Sequence, residues 1–140
     1  MKILKFFTVL MGMVFMIPTL AADHTINAEA RVYNPDIIYI APGDTVGFTN
    51  MTSHNSKSMI VPDGAENWEG ALGENIKVTL EKEGIYGYVC VPHIGFGMVG
   101  VIVVGNATQE MKDATLKKAG ETLQGPFRRL IGKLNKIEVK

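Results

Sequence analysis

Apolar and polar side chains alternate from Thr25 to Val32, the two-residue period of a strand with one buried face. Short strand-like runs then follow at close spacing. Ile37-Ile-Tyr-Ile40 is β-branched and aromatic, and Thr45–Thr49 follows the turn residues Ala41-Pro-Gly-Asp44. Ser58–Val61 precedes Pro62-Asp-Gly64, Ile76–Leu80 alternates, and Gly84–Cys90 and Val99–Val104 are nearly continuous apolar runs. Many short strands divided by Gly, Pro, Asn and Asp predict an all-β sandwich or barrel. Ala65–Gly70 is expected to form one short helical turn, with Trp68 as a packing anchor. After Gly105 the period changes. Thr108 before Gln109-Glu-Met-Lys-Asp113 gives an N-cap and an acidic first turn, and Gly120 is the expected stop. Phe127, Leu130, Ile131 and Leu134 form one apolar helical stripe, with Pro126 at its start. Two C-terminal helices within about 108–135 are therefore expected to pack on the sandwich, with Arg128, Arg129, Lys133 and Lys136 as a solvated face.

The first 22 residues do not belong to this pattern. Lys2 and Lys5, an apolar run from Phe6 to Ile17, Pro18 and then Thr19-Leu-Ala-Ala22 make up a signal peptide with small residues for cleavage. The run is shorter than the roughly 20 residues of a membrane span. Export is expected, to a bacterial periplasm, with no membrane attachment after cleavage. Residues 23–140 are one domain's worth of chain. Removing Lys2 and Lys5 from the 14 basic and 14 acidic residues leaves 12 against 14. Residues 23–104 carry 4 basic against 10 acidic side chains, which argues against a nucleic-acid binder. One cysteine in an exported chain cannot make an internal disulfide, so the thiol calls for another use.

That use is suggested by Cys90-Val-Pro-His93-Ile-Gly-Phe-Gly-Met98, which offers thiolate, imidazole and thioether within one loop between two strands. Cys, His and Met with one further His are the requirements of a trigonal copper site with a long axial thioether. A structural zinc site would want four Cys or His ligands and no Met. A Cys–His nucleophile pair lacks an obvious Asn or Asp orienter. The chain has only two other histidines. His54 follows a strand in Asn50–Asn55, where a loop can meet the copper loop, whereas His24 sits at a fraying N-terminus. A multi-copper enzyme would need more histidines than the chain has, and a copper carrier or store would favour Met- or His-rich clusters.

With Gly43-Asp-Thr-Val46, His54-Asn55, Pro62-Asp-Gly-Ala-Glu66, Gly84–His93 and Gly97-Met-Val-Gly100 assembled, the chain resembles the pseudoazurins. These are type 1 blue copper proteins of the cupredoxin Greek-key fold. The resemblance implies a soluble one-electron carrier, no enzyme, with copper on His54, Cys90, His93 and Met98. It also implies C-terminal helices and redox partners such as a copper nitrite reductase or a cytochrome c. Asn55 is expected to tie the His54 loop to the copper loop, and Pro92 to support that loop. A monomer is expected.

Two further expectations concern surfaces. His93, flanked by Ile94 and Phe96, is expected to present an imidazole edge through an apolar docking patch. Lys57 is the only basic residue near a ligand loop in sequence, so docking is expected to depend less on salt than in lysine-ringed relatives. At the N-terminus, cleavage after Ala21 would leave Ala22-Asp23-His24, an amine with a third-position His that could wrap Cu(II) in a square-planar set of nitrogens; cleavage after Ala22 would remove it.

Overall fold

The structure, a computed structural model, describes residues 19–140, so most of the expected signal peptide lies outside the described residues. Eight strands come first: β1 (Asp23–Glu29), β2 (Val32–Asn34), β3 (Ile37–Ile40), β4 (Asp44–Thr49), β5 (Lys57–Ile60), β6 (Lys77–Leu80), β7 (Gly84–Val89) and β8 (Val99–Val104). Helices α1 (Gln109–Thr122) and α2 (Arg129–Leu134) follow. The strands form two four-stranded sheets, ordered β2-β1-β4-β6 and β3-β8-β7-β5. In each sheet one pair is parallel, β1 with β4 and β3 with β8, and the other pairs are antiparallel. The chain therefore folds as the β-sandwich with C-terminal helices that its pattern predicts.

In β4, residues Asp44, Val46 and Phe48 are buried while Thr45, Gly47 and Thr49 are half-exposed, so one face of its sheet turns to the core. In contrast, β7 and β8 are buried at every position. Tyr86, Tyr88, Cys90, Ile102 and Val104 face the other sheet across the sandwich. Ile85, Val89, Val99, Val101 and Val103 face the opposite way, against Ala119, Leu123, Leu130 and Leu134 of the helical segment. A strand covered on both faces has no reason to alternate, which explains the unbroken apolar run of β8. Gly87 makes the helix seat possible: a Cβ there would come within 2.7 Å of Leu130 Cδ2.

Away from the N-terminus and the metal loops, the structure departs from the sequence reading in four places. The first alternating run is broken into β1 and β2 by a tight turn at Ala30–Arg31. Ala65–Gly70 is not helical. It is an extended stretch bridged by Glu69 to Lys57 and held by Ser58, whose Oγ accepts from Trp68 N at 2.8 Å. Gly120 does not stop α1, which runs two residues further. Of the C-terminal basic residues, Arg128, Arg129 and Lys136 are exposed as expected, whereas Lys133 is half-buried. Lys133 pairs with Asp36, and Arg128 Nη1 donates to the carbonyls of Gly120 at 3.1 Å and Leu123 at 3.3 Å. The N-cap is where the sequence predicts it, with Thr108 Oγ1 accepting from Met111 N.

At the far N-terminal end, Asp44 collects three donors: Ala22 N at 2.9 Å, Ala41 N at 3.0 Å and His24 Nε2 at 2.7 Å. The Ala22 and Ala41 amides and His24 hold its carboxyl below the usual carboxylate range, the Ala22 hydrogen bond contributing most. His24 is thus fixed inside β1 rather than frayed, and its ring is turned to Asp44. A carboxyl whose folded pKa lies below its unfolded value of about 4 adds stability above that value and loses it as pH falls through the folded one. Asp44→Asn is expected to flatten the acid limb of stability. Urea midpoints at pH 7 and pH 3 should converge more in the variant than in the wild type; an equal drop in both would contradict it.

Candidate metal centre

At one end of the sandwich, β7 delivers Cys90 to the interior, and β8 begins just after Met98. Between them the chain makes a short 3-10 turn, Val91–Phe96, with Pro92 in its first positions. The turn is pinned by its own backbone: Cys90 N donates to Met98 O at 3.0 Å, His93 N to Cys90 O at 3.2 Å and Gly97 N to Ile94 O at 2.9 Å. Gly97 closes it at φ 79°, a left-handed conformation that a residue with a Cβ adopts only at a cost. His54 arrives from the β4–β5 loop, its N donating to Met51 O and its O accepting from Gly73 N.

These elements bring three donor atoms together. Cys90 Sγ lies 3.6 Å from His54 Nδ1 and 3.5 Å from His93 Nδ1. All three ligand atoms lie within 4.8 Å of one another. A metal about 2.0 Å from each nitrogen and about 2.3 Å from a thiolate, with trigonal angles, separates N from S by about 3.7 Å. The donor set therefore fits a trigonal ion of that size. Cys90 and Met98 are fully buried and His54 is 5 % exposed, whereas His93 is half-exposed. Burial, with the His93 ring nearby, lowers the His54 pKa and favours the neutral imidazole that binds metal.

Asn55 links the two loops. Its Oδ1 accepts from Val91 N at 2.9 Å, its Nδ2 donates to Gly70 O at 3.3 Å, and its own carbonyl accepts from Tyr33 OH at 2.5 Å. Burial raises the Tyr33 pKa well above the usual phenol range, so the hydroxyl remains a donor. Asn55→Ala would strand the Val91 amide at a cost of about 1–3 kcal/mol. We expect a lower thermal midpoint and weaker copper retention in a chelator titration; wild-type values for both would exclude this tie.

The surface around His93 differs from the sequence picture. Phe96 is 58 % exposed, but Ile94 is half-buried against the core beneath the helices. Val91, two residues before His93, adds exposed apolar surface that sequence reasoning missed, since nothing in the residue marks a surface position. Lys57 is tied to Glu69 at 3.1 Å. The nearby cations are instead arginines. The Arg31 guanidinium lies 4.0 Å from the centre of the Phe96 ring, and Arg129 passes 3.8 Å from where a Gly97 Cβ would sit. Arg31 comes from the β1–β2 turn, which the sequence pattern did not reveal.

Residues 20–105 match the family model of copper binding proteins of the plastocyanin/azurin family. A pseudoazurin of Paracoccus pantotrophus is 33% identical over 110 residues, 72% of this chain and 76% of that protein. Among solved structures, a Sinorhizobium pseudoazurin superimposes with a TM-score of 0.66 at 36% identity, covering 81% of this chain and 93% of the other. The pseudoazurin of Hyphomicrobium denitrificans gives 0.67 at 28%, covering 83% and 98%.

Fold and donor set together define a blue copper protein, and the chain belongs to the plastocyanin/azurin family. Within that family it groups with the pseudoazurins, electron carriers rather than enzymes, with copper as cofactor. His54, Cys90, His93 and Met98 are arranged like a type 1 copper site.

Proposed function

We propose that the chain is an exported, monomeric type 1 copper electron carrier in which His54, Cys90, His93 and Met98 hold one copper. The observation that supports it most is the convergence of Cys90 Sγ on two imidazole Nδ1 atoms at 3.5–3.6 Å, with Cys90, His54 and Met98 buried. Copper in such a set supplies a one-electron couple. The chain's own part is to hold the donors still. The backbone bonds of the Cys90–Met98 turn and the Asn55 bridge fix both loops, so little needs to move when the oxidation state changes. Buried Cys90, His54 and Met98 exclude water, while the half-exposed His93 ring gives the electron a short way out. Pro92 stiffens the start of the turn, and Phe96 forms an apolar rim beside His93, their ring centres 6.2 Å apart.

The place of work is the periplasm, and the partners are redox proteins, a copper nitrite reductase or a cytochrome c among them. The leader-like first 22 residues support export, and no helix among the described residues is long and apolar enough to cross a membrane. The deciding experiment is the visible spectrum of the copper-loaded protein with voltammetry. An intense thiolate-to-copper band and a reversible one-electron wave are expected. Tight copper binding without either would make the protein a copper carrier or store.

A further inference from the structure

We infer that the exported chain is cut between Ala21 and Ala22, and that the new Ala22 ammonium binds the Asp44 carboxylate and locks the start of β1. This rests on the export part of the proposed function. The reaction is hydrolysis by a signal-cleaving protease: water adds to the Ala21 carbonyl, the peptide bond breaks, and the Ala22 amine leaves and takes up a proton.

Sequence and geometry favour this bond independently. Cutting after Ala21 puts Ala21 and Thr19 at the first and third positions before the bond, both small; cutting after Ala22 puts Leu20 at the third. The folded part also begins at Ala22. Leu20 is 94 % exposed and Ala21 is exposed, whereas Ala22 N lies 2.9 Å from Asp44 Oδ1 and Ala22 O accepts from Thr45 N at 3.0 Å. Loss of Ala22 would remove both contacts and take one of three donors from a carboxylate that is 4 % exposed. Retaining it as a charged terminus turns a neutral amide contact into a charge-assisted one, which is shorter and about twice as strong.

The same geometry stands against a Cu(II) motif at Ala22-Asp23-His24. Wrapping a metal needs that backbone curled around it. Here residues 23 and 24 lie extended in the parallel ladder with β4, and the His24 ring is bound to Asp44.

The test begins with the full 140-residue precursor, exported on its own leader and weighed intact. A mass starting at Ala22 is expected; one starting at Asp23 or elsewhere overturns the inference while leaving export standing. A full-length protein retained inside the cell overturns the export reading and this inference with it. The second arm is a double-mutant cycle. The Ala22-start chain is compared with a copy extended by Gly-Ser before Ala22, each with and without Asp44→Asn. The extension is expected to lower the melting temperature by a few degrees with Asp44 present, and far less with Asn. Equal losses in both backgrounds would show that the ammonium does not bind Asp44.

Discussion

Replacing Cys90 with serine abolishes the intense visible absorption of the copper-loaded protein while the apo fold survives. The band requires a thiolate bonded to copper, and a serine hydroxyl supplies neither the soft donor nor the anion near neutral pH. Cys90 sits fully buried, with two imidazole nitrogens about its Sγ, so serine fills nearly the same space and finds hydrogen-bond partners there. The apo variant is therefore expected to unfold within about 2 kcal/mol of the apo wild type, with an unchanged far-ultraviolet circular dichroism spectrum. The loss appears when copper is present. A ligand at a thousand times its Kd stabilises the native state by about 4 kcal/mol, and the variant should forfeit most of that. Absorption titrations with Cu(II) and melting curves with and without copper check both halves. A persisting charge-transfer band in the serine variant would remove Cys90 from the site.

The centre was largely legible in the sequence because three of its four donors lie in one nine-residue loop, each with a distinctive side chain. His54 needed only a choice between two histidines, and its place after β4 is what brings it to the same end of the sandwich. Strands β7 and β8 stood out because burial on both faces leaves no polar interruption. What stayed hidden depends on partners distant in sequence. The β2 strand is three residues long and joined to β1 through Ala30–Arg31, which lacks the Gly or Asn that marks most hairpin turns. Gly120 would end a free helix, yet α1 continues to Thr122, and Arg128 reaches back to bind the Gly120 carbonyl. Lys133 looks solvated along its helix, and its acid, Asp36, is 97 positions earlier.

That hidden turn also changes the expected docking behaviour. With Lys57 as the only nearby cation, electron transfer should respond to salt less than in lysine-ringed relatives, but Lys57 is paired with Glu69 and Arg31 covers the exposed Phe96 ring. Arg31 and Arg129 place two cations near the His93 end, which would steer a partner with an acidic surface and would be screened by salt. Arg31→Glu is expected to slow bimolecular transfer to such a partner, a copper nitrite reductase being the first to try, by about tenfold or more at low ionic strength. The deficit should shrink as salt approaches about 1 M, where the screening length falls to about 3 Å. Phe96→Glu should differ: it removes apolar contact as well as adding charge, so its rate stays low at every salt concentration. Neither side chain is among the four metal donors, so spectrum and potential should match wild type in both variants. Stopped-flow rates across a salt series separate the cases. Wild-type rates in both variants, with spectrum and potential intact, would mean that electrons leave through another face; a faster Arg31→Glu would mean that the partner's surface is basic.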